Sequence, residues 1–494
     1  MKKVQGKFDV AFKNLAPGEE KMYRRENPEQ MKFPNFSLPF GGKLSPKNRW
    51  VLMAKYIKWD KLEEKYASHF SEKMGAPAKP FRMALGALII KERLGISDEE
   101  TVAQIQENPY LQYFIGLEEF TMKAPFDASM MVHFRKRITP EMISEINERI
   151  IGEEDTHGDA DGGKTGDGPS GENESSENNG TLLIDATCVP ADIKYPTDLN
   201  LLNEGREKLE NIIDTLHDGS PGKKPRTYRR KARRAYLLAA KKKKLTLKML
   251  RKALKKQLQF VKRDIDHIQN MIQAGADLSK LSKKQYRDLL VIGEVYRQQK
   301  EMYDEKKNSI DDRIVSISQP YVRPIARGKA GTPTEFGAKL SLSLVNGFSR
   351  VEHISWNNYN ESTLLVDHVE KFRERYGYYP ASVEADKIYR TRENRTYCSS
   401  RGIRLSGPSL GRPRDGAPKE KENASERNPI EGKFGESKRK YGLGRIMAKL
   451  ECTSMSTIGI IVLVMNLQKR LRLLLAHIFK WLFVSNFRLC DAFL

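Results

Sequence analysis

The strand-like segments of this chain fall into two groups that are separated by the long helical segment 201–312. The first group is the run TLLIDATCV, which begins at Thr181 and is rich in apolar and β-branched side chains. The second group contains AKLSLSLVNG, RVEHISWN and ASVEADKIY, with helical pattern between them. This alternation predicts an α/β sheet, so the intervening helices must be an insertion into a domain whose strands meet in space.

The insertion itself has the pattern of a helical hairpin. Apolar residues between Leu250 and Ile272 recur at spacings of mostly four and three, which predicts a long helix with a coiled-coil-like seam. A second helix is expected to begin near Ser282 and to run antiparallel to the first. Between Gly219 and Arg263 there is no acidic residue, and KKPRTYRRKARRAYLLAAKKKK is dense in positive charge. We interpret this segment as a phosphate-binding arm, against the alternative of a solvated charged face.

A helical region precedes the first strand. The pattern from Lys47 to about Arg149 is helical, Ser97 and Glu100 form a capping-box pair, and Pro109 is expected to stop the helix that follows the cap. Another helix is predicted over Ala128–Arg137. Three short helices that end in a basic one are typical of a DNA-reading unit, and also of small helical bundles that bind no nucleic acid.

Two segments flank the sheet-forming part of the chain. Residues 152–180 are acidic, rich in Gly and Ser and almost free of apolar side chains, which predicts a flexible linker. The apolar segment Thr457–Val484 is interrupted by Gln468, Lys469 and Arg470. A membrane span needs about 20 apolar residues, so we interpret this segment as a buried helix, with interfacial membrane binding as the alternative.

The charge balance favours a polyanionic partner. The formal net charge is +23, and each Lys or Arg placed against a phosphate releases a condensed counterion. Nucleic acid is therefore preferred over an anionic membrane surface as the partner. The four cysteines are far apart and have no zinc-ligand spacing, and the first residues lack the apolar core of a secretory signal. We expect a cytoplasmic, nucleoid-associated protein.

Two aspartates end strand-like runs, and a glutamate lies in a basic segment. Asp185 and Asp386 each terminate an apolar run, at the rim of a sheet where ligands and metals bind, although a single such Asp is more often a turn residue. Together with Glu431 they would repel one another unless a cation neutralised them, and carboxylate oxygens suit Mg²⁺. Two such ions support in-line transfer at phosphorus, so metal-assisted phosphoryl transfer on DNA is the expected reaction class.

The position of Glu431 can also be explained by helix capping, without a catalytic role. Asn428 is a good helix N-cap and Pro429 a good first helical residue, which would place Glu431 at the third position, where it reaches back to the cap. That reading leaves the basic neighbours unexplained, because Lys438 lies two turns further along the same helix face and Arg427 lies just before Glu431. Capping and catalysis are compatible, so both interpretations stay open.

Four blocks of the chain resemble a known family. LLIDATCVPADIKYPTDLNLLNEGREK, TEFGAKLSLSLVNGF, ADKIYRTRENRTYC and RNPIEGKFGESKRKYGLGRI resemble, in this order, bacterial insertion-sequence transposases of the DDE class. The resemblance implies an RNase H-like α/β domain, a mixed sheet with flanking helices, interrupted by the helical insertion and preceded by an all-helical domain. It also implies that Asp185, Asp386 and Glu431 are the catalytic, metal-binding triad, which holds two Mg²⁺ ions with Mn²⁺ as a substitute.

The same resemblance implies the partners and the reaction. The expected activity is cleavage at the transposon ends followed by strand transfer into target DNA, carried out by a homodimer that holds both ends of double-stranded DNA in a synaptic complex. Candidate DNA contacts near the carboxylates and in the basic segment are Arg427, Lys438, Lys387, Arg229, Arg230 and Arg233. Glu335 and Lys339, in TEFGAKL, either reach the site or point outward from a strand.

One position departs from the family signature. The signature is Tyr, two residues, Arg, three residues, Glu, six residues and Lys, and this chain has Arg427, Glu431 and Lys438 in the last three places but Ala424 in the first. The change leaves the metal ligands intact and removes one expected contact with the DNA end.

The expected domain division follows from these segments. It comprises an N-terminal helical domain proposed to bind DNA (1–151), a linker (152–180), a catalytic domain in two pieces (181–200 and 313–455), a basic helical insertion (201–312) and apolar C-terminal helices (456–494). Three rival functions remain from sequence: an RNase H-like DNA nuclease without strand transfer, a transposase-derived DNA-binding protein without catalytic activity, and an RNA-binding protein. No RNP-like aromatic motif supports the last.

Overall fold

A computed structural model describes residues 36–38, 42–70, 77–152, 178–218, 223–329, 332–406 and 424–490. The chain forms a mixed α/β structure with one six-stranded sheet and many helices. Most of the segment predicted as a linker lies outside the described residues. No helix in the described part of the chain combines the length and apolarity that a membrane crossing requires.

Within the described residues, seven α-helices precede the sheet, more than the three predicted. They are α1 (Arg49–Lys55), α2 (Glu63–Ala67), α3 (Phe81–Leu94), α4 (Asp98–Glu107), α5 (Pro109–Phe114), α6 (Met130–Arg137) and α7 (Pro140–Gly152).

The predicted cap at Ser97 and the predicted helix end before Pro109 are confirmed. The Ser97 hydroxyl accepts a hydrogen bond from the Glu100 N–H at 3.1 Å, so it caps α4. α4 ends before Asn108, and Pro109 begins α5, where its missing N–H costs nothing.

The described part of the insertion contains four α-helices. They are α8 (Asp198–His217), α9 (Arg229–Ala240), α10 (Leu247–Gln273) and α11 (Lys283–Glu305). α10 and α11 are the predicted antiparallel pair, because the Arg251 guanidinium near the start of α10 donates to the Tyr303 carbonyl near the end of α11 at 2.9 Å. Ser282 and Gln285 form a reciprocal capping box that begins α11. α8 packs against both long helices, so the insertion is a helical bundle rather than a simple hairpin.

The sheet combines antiparallel and parallel pairing. Its strands are β1 (Thr181–Pro190), β2 (Arg323–Lys329), β3 (Thr332–Val345), β4 (Phe348–Ser355), β5 (Ser382–Glu384) and β6 (Arg404–Leu405). β1 lies antiparallel to β3 and parallel to β5, and β5 lies parallel to β6. β2 and β4 pair in succession with the other edge of β3, both antiparallel. β1 precedes the insertion and the other five strands follow it, so the sheet joins both pieces of the chain.

One glycine allows the close pairing of β3. Gly337 pairs with Pro190 of β1 on one side and with Arg323 of β2 on the other. A Cβ atom at Gly337 would lie 2.0 Å from the Val189 carbonyl oxygen, closer than any side chain tolerates. A side chain at this position would therefore force the strands apart beside the cleft described below.

Helices cover both faces of the sheet. The remaining helices are α12 (Leu365–Tyr376), α13 (Arg392–Ser399), α14 (Ala424–Lys440) and α15 (Glu451–Cys490). α12 packs with Ile184 of β1 and Val383 of β5 in one cluster, whereas α14 and α15 pack with Leu340 and Leu342 of β3 in another. The alternation of β3 thus places its leucines toward α14 and α15, and Lys339 and Ser341 toward the α12 side.

The C-terminal apolar segment is a single helix, α15, rather than several. Its described side chains from Ile458 to Leu471 are mostly buried, which agrees with a buried helix. α15 packs on α3, α6 and α7 as well as on β4, so the N-terminal helices and the sheet share one core. Gly459 permits this packing, because a Cβ atom there would meet the Ile143 side chain of α7 at 3.2 Å.

Candidate active site

A cleft opens where two parallel strands separate. The registered pairs of β1 and β5 end at Leu183 and Glu384, yet β1 continues to Pro190 with β3 as its strand partner. The edge of β1 beyond Leu183 therefore faces a gap rather than another strand. Ligand sites in sheets commonly lie at such carboxyl ends of parallel strands.

Asp185 and Asp386 stand on the two sides of this gap. The strand predicted to end at Asp185 continues to Pro190, because β3 pairs with it over that length, so Asp185 lies within β1. Its carboxylate accepts a hydrogen bond from the Ala186 N–H at 2.8 Å. Asp386 follows β5 and caps the single 3₁₀ turn Lys387–Tyr389, accepting from the Lys387 N–H at 2.6 Å. Each carboxylate is thus oriented by the backbone that follows it.

The third predicted carboxylate comes from α14. Glu431, Phe434, Gly435 and Lys438 line the cleft at the i, i+3, i+4, i+7 positions of one helix face. The Lys438 ammonium donates to the Thr187 hydroxyl of β1 at 2.8 Å, which ties α14 across the strand that carries Asp185.

The capping interpretation of Glu431 is wrong. α14 begins at Ala424, so Glu431 lies well inside the helix rather than at its third residue, and Pro429 is an interior proline. Proline removes one helical hydrogen bond at that point. The side chain of Glu431 is exposed toward the cleft and does not serve as a helix cap.

The cleft has a volume of about 920 Å³ and is negative. Among the residues that the structure describes, its lining contains four carboxylates and two lysine ammonium groups, a formal charge of −2. This is opposite in sign to the chain as a whole, whose formal net charge is +23. A negative cleft in a basic protein is suited to a cation that accompanies a polyanion. The charged lining residues are Asp185, Glu361, Asp386, Glu431, Lys339 and Lys438.

Sequence reasoning missed one of these carboxylates. Glu361 begins a single 3₁₀ turn between β4 and α12, and it forms an ion pair with Lys339 at 2.8 Å. Lys339 was left open between an inward and an outward position, and it lies inward at 8% exposure. Glu335 is not among the residues that line the cleft. The sequence around Glu361, NNYNES, is typical of a loop and contains no catalytic signal.

Two tyrosines next to the cleft have raised pKa values, because they are desolvated and lie close to its carboxylates. Tyr389 is fully buried beneath it, and burial raises the pKa of its phenol, as do the nearby charges of Glu361 and Asp185. Burial likewise raises the pKa of Tyr359, with a further contribution from Glu361. Both phenols therefore remain neutral, and neither supplies a base at neutral pH.

The three predicted ligands share the cleft without forming a closed cage. Within the described ranges, no three Asp, Glu, His or Cys side chains are grouped closely enough to hold a metal ion. The chemistry of the donors nevertheless fits a hard divalent cation, because the acids are carboxylates and the lining carries a net negative charge. Asp185, Asp386 and Glu431 are the residues that would hold it.

The predicted DNA contacts lie in two places. Lys438 lies in the cleft and Lys387 is exposed beside Asp386, whereas the side chain of Arg427 is outside the described residues. In the insertion, Arg230 and Arg233 are exposed on α9. Nearby Arg229 is instead held by an ion pair with Asp214, which raises the pKa of its guanidinium.

The basic end of α6 is partly occupied by internal contacts. Arg135 is buried and binds Asp98 of α4 through two guanidinium nitrogens, one at 2.9 Å. Arg137 lies over the Phe70 ring, 4.5 Å from its centroid. Two of the three basic side chains in this turn thus stabilise the helical region itself.

Comparisons with known proteins match both ends of the chain. Residues 39–137 match the family described as "Transposase domain (DUF772)", and residues 383–468 match "Transposase DDE domain". The second match includes Asp386, Glu431 and Lys438. The chain is also 32% identical over 166 residues to the uncharacterized protein ORF8 in the nfe locus of Rhizobium meliloti, a match that covers 34% of this chain and 73% of that protein. No solved structure matches.

Both matched regions are transposase domains, so the chain is a transposase of the DDE class. Within that class it belongs to the insertion-sequence transposases, as its sequence blocks predicted.

Proposed function

We propose that this protein cuts DNA at the ends of its own element and joins those ends to target DNA, with Asp185, Asp386 and Glu431 as the catalytic carboxylates. The observation that carries the proposal is their convergence: residues from β1, the end of β5 and α14 line one cleft, although Asp185 precedes the other two by more than two hundred positions in sequence. We assign the surrounding sheet, with its antiparallel strands β4, β3 and β1 followed by the parallel β5 and β6, to the RNase H-like class. That domain would comprise residues 181–200 and 313–455.

The carboxylates bind divalent metal in this proposal. When bound, two Mg²⁺ ions, or Mn²⁺ in their place, would activate the attacking water or 3′-hydroxyl and stabilise the leaving oxygen. Asp185 and Asp386 each accept a hydrogen bond from a neighbouring backbone N–H, which helps to fix the orientation of the carboxylate. Glu431 approaches from α14 as the third ligand.

The cations near the cleft hold DNA. Lys438 lies on the same face of α14 as Glu431, so it can bind a phosphate beside the scissile bond while Glu431 binds metal. Lys387 is exposed next to Asp386, and Arg427 precedes Glu431 by about one helical turn. These three residues would orient the strand for attack.

The insertion contributes a second DNA surface. Arg230 and Arg233 are exposed on α9, and within the described part of the chain neither is paired with a carboxylate. They face solvent in a segment free of acidic residues, which suits the DNA backbone. Arg229 would act differently, because its ion pair with Asp214 stabilises the bundle. The helices of 1–151 would add further DNA contacts, and two copies would hold the two transposon ends in a synapse.

The test is a cleavage and joining assay. A labelled DNA fragment that carries the flanking inverted repeats of the gene is incubated with the full-length protein in Mg²⁺ or in EDTA, for the wild type, Glu431→Gln and Glu436→Gln. Glu436 is the matched control, because it lies on the same helix but pairs with Lys433, Lys440 and Arg472 outside the cleft.

The expected result is Mg²⁺-dependent breaks at the element boundaries for the wild type and Glu436→Gln, and none for Glu431→Gln, with DNA binding retained in all three. A target plasmid added to the reaction then distinguishes joining from simple hydrolysis. Breaks without joined products would favour an RNase H-like nuclease. Binding without breaks in any variant would favour a DNA-binding protein without catalytic activity.

A further inference from the structure

Lys339 of β3 is the most enclosed cation of the cleft. Its ammonium lies 2.8 Å from a carboxylate oxygen of Glu361 and donates to the Tyr359 carbonyl at 2.8 Å. It also lies 3.4 Å from the Asn358 side-chain oxygen and 4.7 Å from the centroid of the Tyr359 ring. All of these partners belong to the loop between β4 and α12, which forms a wall of the cleft.

The pair is nearly removed from solvent. The side chains of Lys339 and Glu361 are 10% and 17% exposed. Burying either charge alone costs several kcal/mol, and a buried ion pair approximately offsets that cost rather than adding stability. The arrangement is therefore explained poorly by stability alone, and its position in the cleft suggests a role in geometry and charge.

A chain of contacts connects this wall with the Asp386 turn. The Asn394 amide of α13 donates at 2.8 Å both to the Ser362 carbonyl, next to Glu361, and to the Tyr389 carbonyl. Tyr389 ends the 3₁₀ turn that Asp386 caps. Lys339 thus anchors the wall to β3, and Asn394 connects the wall to the segment that carries Asp386.

We propose that Lys339 and Glu361 are positioning residues that fix the cleft wall and set the net negative charge with which the cleft attracts a divalent cation. This inference rests on the proposed metal-dependent function and deepens it. The formal charge of the cleft is −2 because the ammonium group of Lys339 offsets the carboxylate of Glu361. Removing either member changes that charge, and the two changes have opposite signs.

Because the two replacements change the cleft charge in opposite directions, they should change cation affinity in opposite directions. A purely structural role of the pair would not produce such opposite shifts. Lys339→Met leaves Glu361 without its ammonium partner and makes the cleft more negative by one charge, so divalent cations should bind more tightly. Glu361→Gln keeps the shape of the side chain but makes the cleft less negative, so they should bind more weakly. A shift of about threefold to tenfold in each direction is expected for one charge at the range of a partly hydrated site.

The experiment is a calorimetric titration of the full-length, DNA-free protein with Mn²⁺, for the wild type, Lys339→Met, Glu361→Gln, the double variant and Asp185→Asn. The double variant restores the cleft charge and should return to wild-type affinity, and Lys339→Arg, which keeps the charge, should also remain near wild type. Thermal unfolding of each variant confirms that the protein titrated is folded.

Each outcome decides between the two proposals. Opposite shifts that cancel in the double variant support the inference. Shifts of the same sign in both single variants, or a double variant that binds worse than either, overturn it and leave the metal site intact. Wild-type binding that is absent, or is unchanged in Asp185→Asn, overturns the metal-dependent function together with the role of the pair.

Discussion

Asp185 and Asp386 each lie two residues beyond the last registered pair of the parallel strands β1 and β5, Leu183 and Glu384, with Asp185 still inside β1 and Asp386 just after β5. Equal distance from the last pair places both carboxylates at the mouth of the same gap. β5 leaves the sheet there while β1 continues beside β3, and this difference in strand length creates the cleft. The catalytic proposal depends on that divergence as much as on the acids.

Replacing either aspartate should abolish cleavage without loss of DNA binding. Asp185→Asn and Asp386→Asn keep side-chain volume but remove the charge that a divalent ion requires, so the cleavage rate should fall by about a thousandfold or more. The measurement is the single-turnover rate at saturating DNA. Asp367→Asn is the control and should retain activity, because the Asp367 side chain is half exposed on α12 and pairs with Lys371. An Asp386 variant with wild-type rate would remove that residue from the site.

The exposed arginines of α9 should determine the salt dependence of DNA binding. Each phosphate contact contributes about 0.9 to the slope of log affinity against log salt concentration, so Arg230→Ala with Arg233→Ala should reduce the slope by about two. Fluorescence anisotropy from 50 to 300 mM salt would measure it, over roughly the range in which such contacts weaken.

The matched control for this prediction lies on the same bundle. Arg297 and Lys300 of α11 are about half exposed, but they pair with Glu294, Glu301 and Asp304 within the helix. Replacing both with alanine should leave the slope unchanged. If both double variants reduced the slope equally, DNA would not bind preferentially to the exposed arginines Arg230 and Arg233 of α9.

A buried amide fastens α15 to the sheet and to α7. Asn466 accepts from the Ser349 N–H at 2.9 Å and donates to the Ser349 carbonyl and to the Asn147 side chain, each at 2.7 Å. Asn466→Ala removes the partner of the Ser349 N–H and of the Asn147 side-chain oxygen, whereas the Ser349 carbonyl keeps its bond from the Asn147 amide. The replacement should lower the free energy of unfolding by about 2 kcal/mol. Urea unfolding measures the change, and Asn270→Ala, at an exposed position of α10, should be close to neutral. An equal effect of the two replacements would contradict the bridging role.

The stability of the insertion should decline as pH rises toward neutrality. Asp264 of α10 is fully buried, and desolvation raises its pKa to about 7. Arg263 on its own helix, Arg206 and Glu210 on α8 and Arg229 on α9 are the charged groups that act on it. Because the folded pKa lies above the usual carboxyl value, the native state holds the proton more tightly, and this contribution is lost as pH rises through about 7.

Thermal unfolding at pH 5 and pH 8 tests this directly. The melting temperature of the wild type should fall more from pH 5 to pH 8 than that of Asp264→Asn, because the asparagine side chain cannot ionise. Asp266→Asn is the control, because Asp266 is half exposed on the same helix and pairs with Lys262. Parallel pH profiles for the wild type and Asp264→Asn would show that Asp264 is already ionised in the folded state at pH 5.

The sequence alone was sufficient where the determining interactions are local. The caps at Ser97 and Ser282, the helices α10 and α11 and the end of β5 just before Asp386 follow from local pattern, and each lies where the pattern predicted. The strand expected to end at Asp185 instead continues to Pro190, because β3 pairs with it over that length. The resemblance of its blocks also assigned the family, which the comparisons confirm.

Tertiary packing decided the remainder. Glu431 lies inside α14 rather than at its start, Arg229 is held by Asp214, and Lys339 points inward to Glu361. In each case the local sequence was equally compatible with another position of the side chain. The observed position depends on a partner distant in sequence or on the packing of a whole helix. The same holds for α15, whose apolar surface is buried jointly by α7 and β4. Periodicity shows that such a face must be buried, and only the folded chain determines what buries it.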